Sequence, residues 1–294
     1  MARPALSASR GLEIIDFLAA FPGRAFTLSD IARAAKMNVA SCHAVLHALV
    51  GRGYLRRDEA GKTYVLGPAL VAVGSSAIRS NPLVARAQTA AEELSRDMNL
   101  PVLLTAVVGD DILAVASVPD ASGRSPAMRV GQRMPLVPPV GAPFLAWSNQ
   151  AAIDAWIARM APSGDRDFIK EWRRALAEIR KRGYQVSLRA PESRHVATLM
   201  AEMASARKET TYKEKMIDMI HSVDERVFHP KSIDDDKKYE VALIAAPIFE
   251  KNGEAAFSLC LTELPRQLTG ATIKTHAERL IGTCLQVMRE DRAA

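Results

Sequence analysis

The chain lacks any apolar run near the roughly 18 residues needed to cross a bilayer. Its start, MARPALSASRG, lacks the apolar core of a secretory signal. Its three cysteines (Cys42, Cys260 and Cys284) are scattered and odd in number, which fits a reduced cytoplasm better than a disulfide framework. Each reads as a small buried hydrophobe. The chain also has no nucleophile-elbow motif, no phosphate loop, no metal-ligand cluster and no internal repeat. These absences argue against a membrane protein, a secreted scaffold, a solenoid and the common enzyme classes. No cofactor and no catalytic residue are expected.

What is present is 294 residues, 48% hydrophobic and 24% charged, enough for about two globular domains. The net charge is +6, and residues 1–78 carry +4 of it. A basic N-terminal quarter suggests a polyanion partner, most simply nucleic acid.

Short helices crowd the N-terminal stretch. Residues 9–20 predict a first helix with Ser9 as its cap. Thr27-Leu-Ser-Asp30 is a capping box with Asp in the Glu place, opening a helix to about Ala35. After Lys36-Met37-Asn38 a third helix runs from Val39 to Gly51, with Val39, Val45, Leu46 and Leu49 as its apolar side. Tyr54–Arg57 and Thr63–Leu66 predict strands around a polar tip. Three helices and a hairpin are the winged helix-turn-helix layout. A further helix is expected over Pro68–Ile78, and Ser80-Asn81-Pro82 is the joint.

The third helix presents small and uncharged polar residues: Asn38, Ala40, Ser41, Ala44, His43 and His47. Such a face can approach base edges in a major groove, because Asn pairs with adenine and Ser with several bases. Arg56, Arg57 and Lys62 on the wing would meet phosphates, which give affinity without sequence choice. Arg10 and Arg3 would form an arm to the DNA backbone. Each has a plainer reading. Asn38 can serve only as a helix cap, and His47 can be half-buried at the module's seam. His43 and His47 sit i, i+4 beside Cys42, but too few ligands surround them for a metal site.

Beyond the joint a long helix leads to strands PVLLTAVV and ILAVASV. An irregular Pro-rich segment follows at residues 128–147. Helices are expected at Asn149–Ala161 and Asp167–Arg182, a strand at Tyr184–Leu188, strands VALIAAPIF and AAFSLCLT, and a closing helix at Thr272–Arg289. Strands in hairpins with helices outside predict an α+β domain around an antiparallel sheet.

These stretches together resemble the IclR family of bacterial transcription regulators. The carriers are Arg10–Ile15, LSDIARAAKMNVASCHAVLHALVGRGYLRRD, TYVLGPALVAVG, GQRMPLVPP, EIRKRGY and ALIAAPIFEKNGEAAFSLCLT, in the family's order over residues 8–290. The resemblance implies a winged helix-turn-helix that dimerises on palindromic double-stranded DNA, and a GAF-like domain that binds a small effector, often a carboxylate. It also implies a homodimer or a dimer-of-dimers tetramer, free of membrane and cytoplasmic. Residues 1–67 would be the DNA-binding domain, 68–82 a linker helix and 83–294 the effector domain.

Two departures from the family pattern stand out. Gly141-Ala142-Pro143 replaces a usual Gly-Lys pair, and residues 190–238 form an extra stretch where the family has a short loop. That stretch reads as a surface elaboration or oligomer contact, or as a lid or protein seat. Ser258 and Cys260 share a strand face and match family positions that face the effector. Amides of Val140-Gly141-Ala142 would hold an anion, with Gly141 letting the ligand come close. Leu243, where some members are polar, hints at a more apolar effector. Met128, Met134 and Phe257 are candidate lining or ordinary core. Two other classes stay open: a DNA-binding protein without an effector, and an enzyme pairing Ser258 or Cys260 with His221 or His276.

Overall fold

In the computed structural model, residues 5–160, 165–189 and 229–293 are described. They fall into two compact units, one reaching to Asn81 and the other beginning at Pro82. The expected extra stretch lies outside the described residues except for 229–238.

The first unit holds α1 (Leu6–Ala19), β1 (Phe26–Thr27), α2 (Leu28–Ala34), α3 (Val39–Gly51), β2 (Leu55–Asp58), β3 (Thr63–Leu66) and α4 (Ala69–Ser80). The capping box at Thr27 forms as the spacing predicts: the Asp30 amide donates to Thr27 Oγ1, and the Thr27 amide donates to the Asp30 carboxylate. The first helix departs from expectation. It starts at Leu6 with Ala5 in the capping place, and Ser9 lies inside the first turns, where its hydroxyl donates back to the Ala5 carbonyl. Arg10 is therefore part of α1 and half-buried, not part of an arm; Arg3 lies outside the described residues.

Ile14, Phe17, Leu18, Phe26, Ile31, Cys42, Leu46, Leu55 and Tyr64 form this unit's core. Val39 is not in it. It stands 53% exposed at the helix start, while Cys42 is fully buried. The core-facing arc of α3 thus centres on Cys42 and Leu46. β1 has only two residues, too few to show alternation in sequence, yet it pairs with β3 to give the sheet order β1-β3-β2.

The second unit is built on a six-stranded antiparallel sheet. Its elements are α5 (Pro82–Met98), β4 (Val102–Val108), β5 (Asp111–Val118), β6 (Arg133–Pro135), α6 (Ala142–Leu145), α7 (Gln150–Ala158), α8 (Arg166–Arg182), β7 (Gln185–Leu188), β8 (Lys238–Tyr239), β9 (Val241–Phe249), β10 (Ala255–Leu261), β11 (Leu268–Thr269) and α9 (Gly270–Arg292). The strand order is β6-β5-β4-β10-β9-β7, with β8 and β11 as a separate pair. β6 forms inside the segment expected to be irregular, pairing Met134 with Ile112. Pro247 lies past the end of β7's pairing, where β9 needs no outer amide donor.

The two faces of the sheet are covered differently. Leu104, Ala106, Ile244, Ala246, Ile248, Phe257, Leu259 and Leu261 pack under α5 and α9 in the main core. Phe257 therefore belongs to that core and does not line the other face. Ile112 meets a second cluster with Leu136, Ala142, Phe144, Trp156, Trp172 and Ile179, which brings α6, α7 and α8 over the opposite face.

Candidate functional site

The residues of α3 sort cleanly by exposure. Ala40, His43, Ala44 and His47 are exposed, and the 3.6 period places them on one arc opposite Cys42 and Leu46. Ser41 is half-buried on the flank of that arc. Asn38 caps the helix: its Oδ1 accepts from the Ser41 amide at 2.8 Å. A cap of this kind stabilises by about 0.5–2 kcal/mol. A two-point contact of Asn38 with adenine would draw Oδ1 away from the helix start. Cys42 points inward, away from His43 and His47. Among the described residues no group of three or more potential metal ligands occurs.

On the hairpin, Arg56, Arg57 and Lys62 are all exposed. Arg57 is the most engaged, 3.5 Å from Glu59 and with its guanidinium 5.9 Å from the Tyr64 ring. Lys62 takes a left-handed conformation (φ 49°) at the tip, beside a turn held by the Gly61 amide donating to Asp58 at 2.7 Å.

In the second unit, antiparallel register decides which side chains share a face. Ser258 lies opposite Thr105 and Pro247, and Cys260 opposite Leu103 and Ala245. Ala245 in turn faces Gln185, and Leu243 faces Ser187. Thr105, Ser258, Cys260, Leu243, Gln185 and Ser187 therefore stand on one face, the one away from α5 and α9. α6 packs across β9 and β10. The structure so brings Leu243, Ser258 and Cys260 onto one face of the sheet, and α6, which begins at Gly141-Ala142, packs on the two strands that carry them.

Sequence reasoning missed Thr105, Gln185 and Ser187. They lie on a seven-residue and a four-residue strand with no local signal, and only strand order assembles them. Their polar groups are satisfied without any charge. Gln185 Nε2 donates to Ser187 Oγ at 2.8 Å, Thr105 Oγ1 to the Ser258 carbonyl at 3.4 Å, and Ser258 Oγ to the Ala246 carbonyl at 3.2 Å. Cys260 Sγ lies 3.7 Å from Ser258 Oγ. Burial pushes the Cys260 thiol up to about 11, so it stays protonated near neutral pH. No histidine among the described residues hydrogen-bonds to Ser258 or Cys260. His276 is in α9, and His221 lies outside the described residues.

Gly141 has φ 89° and begins α6. A Cβ there would stand 2.1 Å from Leu136 Cδ1. The close approach that requires glycine is thus made by Leu136. The Ala142 amide already points to the Pro139 carbonyl at 3.4 Å, and α6 is a single turn with little dipole to offer an anion. The anion-cradle expectation for Val140-Gly141-Ala142 is weakened on both counts.

Two family patterns match the chain: the IclR helix-turn-helix domain over residues 7–59, and the bacterial transcriptional regulator IclR C-terminal domain over residues 75–192. Together they cover more than half of it. The chain is 31% identical over 112 residues to the Pca regulon regulatory protein of Pseudomonas putida, covering 37% of each. It is 30% identical over 138 residues to the glycerol operon regulatory protein of Streptomyces coelicolor, covering 46% of this chain and 53% of that one. The chain thus spans about a third to a half of the length of the curated relatives it matches. Among solved structures, an IclR transcriptional regulator from Alicyclobacillus acidocaldarius superposes with TM-score 0.71 at 18% identity, over 98% of this chain and 99% of that one. An IclR homologue from Microbacterium hydrocarbonoxydans complexed with 4-hydroxybenzoate gives TM-score 0.64 at 19% identity, over 98% and 100%. With a helix-turn-helix unit, an antiparallel-sheet unit and these matches, the chain belongs to the IclR family of bacterial transcriptional regulators.

Proposed function

We propose that this regulator reads a palindromic operator through α3 and the β2–β3 hairpin, and that a small effector on the polar sheet face controls the reading. In this proposal Ala40, Ser41, His43 and His47 approach base edges. Arg56, Arg57, Lys62 and Arg10 serve the phosphates, and Asn38 sets the start of the reading helix. Leu243, Ser258 and Cys260, joined by Thr105, Gln185 and Ser187, bound the effector, with Gly141 and Ala142 above them.

One observation carries the effector half. Thr105, Gln185, Ser187 and Ser258 are buried polar side chains gathered on a single sheet face. Hydroxyl, thiol and amide groups without a charge suit a hydroxylated aromatic body. The relatives support that class: one is a Pca regulon regulator, and one was solved with 4-hydroxybenzoate. Self-association on DNA is supported by α4, where Val71 is 72% and Val73 48% exposed and no residue is buried. The chain would work in the cytoplasm; no helix among the described residues is long and apolar enough to cross a membrane.

The test is anisotropy titration of DNA from upstream of the chain's own gene against random DNA, with and without 4-hydroxybenzoate. The acid is expected to change operator affinity, and Ser258→Val to remove the change while leaving the acid-free affinity intact. A regulator needs differential effector binding between two states. If a panel of hydroxylated aromatic acids leaves specific binding untouched, the effector half fails and DNA binding alone remains. Lys62→Ala is expected to weaken all DNA alike and reduce the salt slope by about one.

A further inference from the structure

The C-terminal end of α8 carries an arginine that is only partly paired among the described residues. Arg180 is accounted for, since its Nε donates to the Ala146 carbonyl at 2.5 Å. Arg182 is turned inward. Its Nη1 donates to the Pro230 carbonyl at 3.1 Å, but Nε and Nη2 are buried with no hydrogen-bond partner among the described residues. His229, next to Pro230 in the chain, is 7% exposed, and neither ring nitrogen has a partner among the described residues. Trp172 stands edge-on to His229 at 4.9 Å, with its own Nε1 unpaired.

Buried polar atoms are satisfied in the great majority of cases. Five unpaired nitrogens on three neighbouring side chains are a concentrated exception. The arrangement also has a sign. Burial, and then the charge of Arg182, pull His229 down to about 3. Glu178 acts on Arg182 only at a distance, and the Tyr184 ring lies 5.7 Å from its guanidinium. The spot is short of one negative charge.

The geometry states which anion fits. Nε–H and Nη2–H leave the same edge of a guanidinium in parallel, and that edge matches the two oxygens of a carboxylate. A neutral imidazole adds a third donor from its protonated nitrogen. A cavity of about 440 Å³ reaches Pro230 and is lined by Arg189, Lys231, Lys237 and Lys238 against Asp234 and Glu240, an excess of positive charge that would draw an anion toward it.

We propose that Arg182 and His229 form a binding site for a small organic carboxylate, separate from the sheet face. The carboxylate lies across Nε and Nη2 of Arg182 and accepts from His229. Trp172 also meets Trp156 edge-on at 5.3 Å, and Trp156 Nε1 donates to the Val140 carbonyl at 3.0 Å. Occupancy therefore touches an aromatic pair that ends at the residue before Gly141, and tryptophan emission reports it.

The experiment uses the full chain at pH 7, titrated with sodium acetate against sodium chloride at matched ionic strength. Tryptophan emission and melting temperature are followed. Acetate is expected to shift both along a saturating curve, and chloride not to. Arg182→Lys keeps the charge and loses the fork, so acetate affinity is expected to fall at least about tenfold. His229→Gln is the second variant, expected to weaken acetate too, and it decides the matter if Arg182→Lys does not fold. Acetate indistinguishable from chloride overturns the proposal. So does an acetate response undiminished in the folded variants. Tighter saturation by inorganic phosphate than by acetate overturns the carboxylate class.

Discussion

Replacing Gly141 by Ala tests whether packing or ligand access explains this glycine. Two costs add in the folded chain. A non-glycine residue in the left-handed region costs about 1–2 kcal/mol, and Gly141 sits there at φ 89°. The new methyl would also lie 2.1 Å from Leu136 Cδ1. Leu136 cannot retreat as a whole. Its amide donates to the Asp110 carbonyl at 2.9 Å, and its carbonyl accepts from Arg159 Nη1 at 2.8 Å. Relief must come from its side-chain torsions inside a filled cluster, an overpacking cost of about 1–3 kcal/mol. Gly141→Ala is therefore expected to destabilise the second unit by about 2–5 kcal/mol. In a Leu136→Ala background the steric part vanishes, and the same substitution is expected to cost only about 1–2 kcal/mol.

The assay is urea unfolding followed by tryptophan emission. Trp147, Trp156 and Trp172 are the only tryptophans, and all lie in the second unit, so the signal reports that unit alone. Equal costs of Gly141→Ala in the two backgrounds would refute the role given to Leu136. The double variant also separates the two readings of Gly141. If packing is its task, effector response returns with the fold. If a ligand presses on its Cα, the refolded double variant stays blind to effector.

Asn38→Ala is expected to lower the stability of the first unit by about 0.5–2 kcal/mol without DNA present, because the cap on α3 is lost. Asn38→Asp is expected to keep that stability, read by circular dichroism melts, while weakening DNA binding through charge. Equal stability of all three forms would remove Asn38 from the capping role. His229 predicts an acid-sensitive term. Folded His229 is held neutral down to about 3, against 6.5 for its ordinary value, so the unfolded chain binds one more proton between them. Stability is then present above pH 6.5 and is lost as pH falls through that interval, by up to about 1.4 kcal/mol per pH unit. His229→Gln is expected to flatten this slope in urea titrations between pH 6.5 and 4.5; an unchanged slope would place the titration elsewhere.

Much of the fold was legible because local chemistry dictates it. The capping box at Thr27, the Asn38 cap and the apolar runs of β9 and β10 are all set by neighbours within a few residues. The same locality misled at two points. Ser9 looks like a cap, but α1 begins earlier at Leu6, since nothing before Ser9 stops the helix. Val39 looks like core, but as the first residue of α3 it lies outside the buried arc.

By itself the sequence determined the basic N-terminal quarter, the small and uncharged polar face of α3, the hairpin beside it and the family, because these depend on short-range order and residue type. It also placed Ser258 and Cys260 on one strand face, since side chains alternate along a strand. Only the tertiary structure decided what those two residues meet. Antiparallel register carries Thr105, Gln185 and Ser187 onto the same face from strands more than 60 residues away in sequence. Only packing showed that Leu136 fills the space above Gly141, and that Arg182 and His229 bury nitrogens unpaired among the described residues. Such positions depend on which distant segments pack together, and no local periodicity records that.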